Sequence, residues 1–388
     1  MGNTGRAAIA GLGITDVGKV YGRSATDFAA DAVRRAAADA GLAVSDVDGL
    51  LVSAGMKRDV SITLANVLGL RDLRLLAEMN AFGASAGAMV SYAAAAVTSG
   101  AAEAVACVFA DAPLRPKESA GAAYTARGRK PPTGFASFSI ASGITNANAK
   151  YALATRRHME TYGTTSAQLG QIAVAQRAWA TLNPLAQLRD PITIEDHQSS
   201  RWIAEPLHLL DCCLVSNGGA AVIVTTAERA RSLAQPAVEI LGWGQGHPGQ
   251  VAERGSDFGL RTGAAVSGPT ALKMAGVTVD DIDVLELYDC YTFTVLITLE
   301  DYGFCDKGEG GAFVAEPGRL GPGGTLALNT GGGQLSSYYL WGMTPLTEAV
   351  IQARGRAGER QAPSNDLVMV SGNGGILDHH STLVLKGA

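Results

Sequence analysis

Ala40-Gly41-Leu42-Ala43-Val44-Ser45-Asp46-Val47-Asp48-Gly49-Leu50-Leu51 returns, much changed, as Ala275-Gly276-Val277-Thr278-Val279-Asp280-Asp281-Ile282-Asp283-Val284-Leu285-Glu286. Each copy reads as a helix closed by glycine, a turn at an acidic pair and then an apolar strand. A second pair follows in the same order. Residues 84–100 and 343–355 read as helices, and each leads into an apolar run, 104–109 and 367–370. Two ordered matches imply a duplication with a pseudo-twofold axis between the copies. The expected fold class is α/β, with an N-terminal half at 1–235 and a C-terminal half at 236–388. Between the copies, at about 111–205, lies an irregular stretch carrying Pro113, Pro116, Pro131, Pro132, Pro184 and Pro191, with a helical patch from Ser166 to Leu182. A long insertion of that kind builds a binding lid or an oligomer contact.

The first half opens with Ala7-Ala8-Ile9-Ala10-Gly11-Leu12-Gly13, read as a strand and a glycine turn. It lacks the helix directly behind the glycines that a dinucleotide site requires. A helix then starts at Ser24, with Asp27 as its capping-box partner. Its apolar face is Ala25, Phe28, Ala29, Ala32, Val33, Ala36 and Ala40.

Composition narrows the function classes. The 388 residues are 47% hydrophobic and only 17% charged, which points to surface buried against other subunits. A net charge of −5 gives no general attraction for nucleic acid or an acidic membrane. Five cysteines without a CxxC pair suit a reducing compartment better than a disulfide framework or zinc site. No apolar run approaches the roughly 20 residues that span a bilayer. The first residues lack the basic-then-apolar order of a signal peptide. A cytoplasmic protein is the expectation.

Five blocks carry a family resemblance. Ser200-Arg201-Trp202-Ile203-Ala204-Glu205-Pro206-Leu207-His208-Leu209-Leu210-Asp211-Cys212-Cys213 and Ser216-Asn217-Gly218-Gly219-Ala220-Ala221-Val222-Ile223-Val224 resemble stretches of thiolase-like proteins. Glu286-Leu287-Tyr288-Asp289-Cys290-Tyr291-Thr292 resembles the His-Asp-Cys-Phe block of the sterol-carrier-protein-x type, with tyrosine in place of histidine. Asn329-Thr330-Gly331-Gly332-Gly333 is similar to its Asn-x-x-Gly-Gly turn. Asn80-Ala81-Phe82-Gly83-Ala84-Ser85-Ala86-Gly87 resembles the turn that presents the family's nucleophilic cysteine, and here that position is Gly83. The resemblance runs from about residue 5 to the C-terminus and implies a thiolase fold. In that fold two duplicated α/β halves form a five-layer αβαβα sandwich.

The departures set the chemistry. Glycine cannot hold an acyl group, and a thiolase needs a thiolate with a histidine to activate it. The family's Gly-His-Pro has become Ser336-Ser337-Tyr338-Tyr339-Leu340-Trp341-Gly342, and an ungapped count puts Tyr339 on the missing histidine. These replacements resemble the thiolase-related retro-aldolases of bacterial steroid side-chain degradation. That likeness implies cleavage of a β-hydroxyacyl-CoA into a ketone and a short acyl-CoA such as propionyl-CoA or acetyl-CoA. It also implies a small OB-fold, hydratase-associated partner in a heterotetramer or larger complex, around a homodimer joined through the central strands of the first half. Coenzyme A belongs to the substrate, and no other cofactor or metal is implied.

Phenols both donate and accept protons, so Tyr288 and Tyr338 are the expected acid/base pair, with Tyr339 the substitute for Tyr338. The space left at Gly83 is expected to admit a bulky tertiary alcohol. By family analogy, backbone N–H groups at Gly374 and Gly375 supply an oxyanion hole. Asp289 orients the site or caps the next turn. Cys290 is a weaker candidate, either as a base or as an inert buried thiol, and His379 of Asp378-His379-His380 is a possible substrate contact. Arg127, Arg129 and Lys130 are weak candidates for the CoA phosphates. Two other readings stay open: a thiolase or C-acyltransferase using Cys290, and a non-catalytic acyl-CoA-binding scaffold.

Overall fold

A computed structural model describes residues 6–55, 58–124, 133–249 and 254–387, without the side chains of 135 and 136. Its strands are β1 (Ala7–Ile14), β2 (Gly49–Ser53), β3 (Leu75–Glu78), β4 (Ala104–Asp111), β5 (Trp202–Ala204), β6 (Leu207–His208), β7 (Gly218–Thr226), β8 (Val238–Gly246), β9 (Val284–Glu286), β10 (Ala327–Leu328), β11 (Leu367–Gly374) and β12 (His379–Lys386). Strands β5 and β6 pair with each other, and the other ten form one sheet in the order β10-β9-β11-β12-β8-β1-β7-β4-β2-β3. The halves join where β1 meets β8, with Ala7 opposite Ile240 and Ile9 opposite Val238.

Read outward from that junction, β1-β7-β4-β2-β3 and β8-β12-β11-β9-β10 are the same arrangement. In each the two inner pairings are antiparallel and the two outer ones parallel. The repeat quoted above is the reason. Gly41 and Gly276 both close their helices in the left-handed conformation, at φ 75°. A short 3-10 turn and a strand then follow in each copy.

The Ala25–Ala40 helix begins at Ser24 with the capping box complete, and it covers β1, β7 and β4 from outside. The Ala264–Ala275 helix covers β8 and β12. The Ser85–Thr98 and Met343–Ala353 helices touch strands of both halves and each other, forming the middle layer. Their near-complete burial explains the Ala-rich, all-round apolar sequence of the first. Helix, strands, helices, strands, helix make five layers.

Two expectations need correction. Gly11 and Gly13 form no turn but lie inside β1. A Cβ on either would sit 2.1 Å from the carbonyl oxygen of Ala36 or Ala32, so both glycines let the helix lie on the strand. Gly242 and Gly244 do the same in β8, against Ala271 and Ser267. Second, the central strands have neighbours on both sides, so the free edge of the first half is β3. A dimer joined through strands of the first half has to use that edge.

The insertion is anchored on the second half through two helices, Ala147–Tyr162 and Ser166–Thr181. From the second, Arg177 donates to Ser336 Oγ at 2.9 Å. On the Ala147–Tyr162 helix, Asn148 accepts from the Tyr291 hydroxyl at 2.5 Å, and Tyr151 donates to the Gly375 carbonyl at 3.1 Å. His158, fully buried, meets Glu300 at 3.1 Å. Spaced three and then seven residues apart, these side chains share one helix face, which fixes the insertion against the second half.

Candidate active site

Gly83 lies in the short turn between β3 and the Ser85–Thr98 helix, inside the molecule. A Cβ built on it would fall 2.3 Å from Cε2 and 2.4 Å from Cζ of Tyr288, and 2.2 Å from the Asn373 carbonyl oxygen. The Tyr288 ring therefore occupies the volume that a side chain at 83 would need. This corrects the expectation that the glycine leaves room for substrate: a phenol of the protein fills that room. Glycine is also needed nearby, since a Cβ on Gly342 would come 2.2 Å from the Gly83 carbonyl oxygen.

The loop after β9 carries Tyr288, and its N–H donates to Ser371 Oγ of β11 at 2.9 Å. Tyr339 follows the Gly333–Ser337 π-helical turn, and its N–H donates to Ser216 Oγ at 3.0 Å, just before β7. The two hydroxyls are 3.3 Å apart, longer than an ordinary O–H···O bond. Asp289 ties the two segments together. Its carboxylate accepts the Gln334 N–H on both oxygens, at 2.9 and 2.8 Å, and the Leu335 N–H at 3.2 Å. Burial lifts the Asp289 carboxyl to about 7, against the pull of those N–H groups.

Tyr338, preferred from the sequence, goes elsewhere. Its backbone is extended (φ −156°, ψ 164°), so adjacent side chains point to opposite sides. The Tyr338 hydroxyl meets Thr347 Oγ1 of the middle-layer helix at 2.7 Å. Tyr288 is thus brought to Tyr339 and not to Tyr338.

Burial is the main influence on the pair's ionisation. It pushes the Tyr288 phenol well above its ordinary value, helped by the nearness of Tyr339 and Cys290. Tyr339 moves the same way, through burial and then the Cys213 and Cys290 thiols. Both are neutral phenols at physiological pH. The Cys290 thiol is buried as well, and burial raises it to about 12 despite contact with the Tyr151 hydroxyl. Such a thiol is a poor source of thiolate.

Gly374 and Gly375 end β11 beside the 81–83 turn, where a Cβ on Gly374 would lie 1.9 Å from the Ala81 carbonyl oxygen. Asn373 donates from Nδ2 to the Tyr151 hydroxyl at 2.9 Å. His379 stacks over Phe82, with centroids 6.4 Å apart, and its Nδ1 meets Nδ1 of His247 at 3.0 Å. It joins neither tyrosine. His380 faces the other side of β12 toward Ser267, so the two histidines do not converge. Among the described residues no group of three His, Cys, Asp or Glu is placed to hold a metal. Arg127, Arg129 and Lys130 lie outside the described residues.

Sequence reasoning missed Ser371, Ser216 and Tyr151. Each is joined to its partner from 83 to 224 residues away, so no local spacing signals it. The Ser216 block was already part of the resemblance, but nothing in it pointed to Tyr339.

Residues 244–387 match the family model "Thiolase C-terminal domain-like". The chain is 38% identical over 386 residues to 17-hydroxy-3-oxo-4-pregnene-20-carboxyl-CoA lyase of Mycobacterium tuberculosis, covering 96% of this chain and 97% of that one. It is 39% identical to the steroid side-chain-cleaving aldolase of Thermomonospora curvata, over 95% and 96% of the two chains. Acetyl-CoA acetyltransferase of Methanothermobacter thermautotrophicus is 32% identical over 95% of this chain and 96% of its own. A solved structure named Ltp2-ChsH2(DUF35) aldolase superposes with TM-score 0.87 at 37% identity, covering 99% and 98%. This chain belongs to the thiolase superfamily, on the branch that carries the steroid side-chain-cleaving aldolases.

Proposed function

We propose that this protein is a carbon–carbon lyase that cleaves a steroid β-hydroxyacyl-CoA by retro-aldol reaction, with Tyr288 and Tyr339 moving the proton. One observation carries the reading. The ring of Tyr288 stands where the nucleophile would be, with its hydroxyl on that of Tyr339.

Retro-aldol cleavage needs one proton removed from the β-hydroxyl and one added at Cα. As the hydroxyl proton leaves, the C–O bond becomes a ketone, the Cα–Cβ pair passes into the thioester enolate, and Cα is then protonated. Substrate atoms are conserved between ketone and short acyl-CoA. A tyrosine base can act by acidification or through a relay. Burial raises these phenols, so acidification is the wrong sign. In the relay, one phenol accepts the hydroxyl proton while giving its own to the other, which delivers a proton to Cα. Neither tyrosine ends with a charge, and no step needs a cofactor. N–H groups at Gly374 and Gly375 stabilise the enolate oxygen in this reading.

A Cys290 thiolase is disfavoured by the raised thiol and by Tyr288 on Gly83. A non-catalytic scaffold would leave the paired hydroxyls without purpose. For partners, the named Ltp2-ChsH2(DUF35) relative supports a DUF35-type chain, and the family resemblance implies that this partner is small and has an OB-fold. The homodimer forms on the free edge of β3, which carries the exposed Leu76. No helix among the described residues is long and apolar enough to cross a membrane. The cysteine usage supports a cytoplasmic location.

The test is product analysis. The chain with a DUF35-type partner, given a steroid tertiary β-hydroxyacyl-CoA, is expected to release one ketone and one short acyl-CoA per substrate, with no acyl group on the protein. Acyl-CoA bound without turnover supports the scaffold, and a label trapped on Cys290 supports the thiolase.

A further inference from the structure

A continuous file of aromatic rings runs past Gly83 and takes no part in the proton transfer. Phe109 stacks on Trp341 with centroids 4.9 Å apart, and Trp341 meets Phe82 at 5.9 Å. Phe82 stacks on His379 at 6.4 Å, and His379 meets His247 at 5.1 Å. The inner end is core, with Phe109 and Trp341 only 2% and 3% exposed. The file reaches the surface at Phe82, which is 36% exposed.

Backbone geometry shows that these rings are held against preference. Phe82 and Trp341 have φ of 51° and 52°, the left-handed region that bulky L residues rarely adopt. Each precedes a glycine, Gly83 and Gly342, and those glycines are in contact. Strain of this kind persists where the surroundings over-determine it, and it clusters at ligand sites. Here it places two rings side by side, one residue from the position that Tyr288 covers.

We propose that the outer end of this file, Phe82 with His379, held in place by the buried rings behind it, is the subsite for the apolar ring body of the substrate, the part that leaves as ketone, and that Phe82 sets its selectivity. The proposal rests on the lyase reading above. Flat aromatic faces suit a fused alicyclic body, which offers C–H surface and little to hydrogen-bond. They offer nothing to the phosphates of coenzyme A. Burial, and then the nearness of His247, hold His379 below its ordinary value, so its place in the file stays uncharged at neutral pH.

The test replaces the ring and spares the backbone. Phe82→Asn keeps a residue that tolerates positive φ. Two β-hydroxyacyl-CoA substrates are compared, one with a fused four-ring body and one truncated to a single five-membered ring. The ratio of their kcat/KM values is expected to fall about tenfold in the variant, the order of one aromatic contact. Equal losses on both substrates, or no loss, would overturn the subsite. A second arm needs no turnover: quenching of tryptophan fluorescence by the four-ring ketone, which Phe82→Asn weakens about tenfold by the same measure. Ketone binding that depends on Phe82 in a protein without lyase activity would sink the lyase reading and keep the subsite. Equal ketone affinity in both proteins would remove the subsite whatever the activity.

Discussion

At residue 83 the missing side chain and the seating of the Tyr288 ring, the proposed acid–base group, are one structural event. With Tyr288 Cε2 only 2.3 Å from the site of a Cβ, even alanine cannot coexist with the ring in its present place. Gly83→Ala is therefore expected to displace the Tyr288 hydroxyl from Tyr339 and cost at least about a hundredfold in kcat, the scale of general acid–base catalysis. It also costs about 1–3 kcal/mol of stability through overpacking. Steady-state kinetics beside urea unfolding would check both. Full activity in a stable Gly83→Ala protein would show that Tyr288 need not stand there. Much at this scale was legible in the sequence. The absent cysteine and the exchange of histidine for Tyr288 follow from matching blocks. The register between Tyr338 and Tyr339 was not legible, because two adjacent tyrosines differ only in the direction their side chains take after the π-helical turn.

At the scale of elements, the duplication was readable because a glycine that closes a helix and an acidic turn leave a pattern in each copy. The glycines of β1 were misread for an equally physical reason. A strand glycine marks either a bend or the close approach of another backbone, and only the packed helix distinguishes them. The free edge of β3 follows from strand order, which the sequence does not print. Its Leu76 is 43% exposed. Leu76→Glu is expected to convert the proposed homodimer to a single chain of 39.9 kDa, by light scattering. A wild-type protein that stays at that mass at micromolar concentration would remove the dimer from the account.

For the whole molecule, buried polar groups link folding to pH. His380 is buried on β12, and burial lowers it to about 3. Its value in the unfolded chain is near 6.5, so between those values the unfolded state binds a proton that the folded state refuses. Stability from this group is full above about 6.5 and falls as pH drops, by at most about 1.4 kcal/mol per unit. Urea unfolding at pH 7 and pH 5 should show a loss of about 2 kcal/mol that His380→Gln abolishes. An unchanged difference in the variant would show that other groups carry the acid sensitivity.

The two halves converge on one pair of hydroxyls: Ser216 from the first half holds Tyr339, and Ser371 from the second holds Tyr288. Single-turnover release of ketone from a steroid β-hydroxyacyl-CoA, in Tyr288→Phe, Tyr339→Phe and Tyr338→Phe, tests that convergence most directly. The account predicts losses of about a hundredfold or more for the first two, in keeping with acid–base roles, and a rate near wild type for the third. A Tyr339→Phe enzyme that works normally, or a Tyr338→Phe enzyme as impaired as Tyr288→Phe, would contradict it.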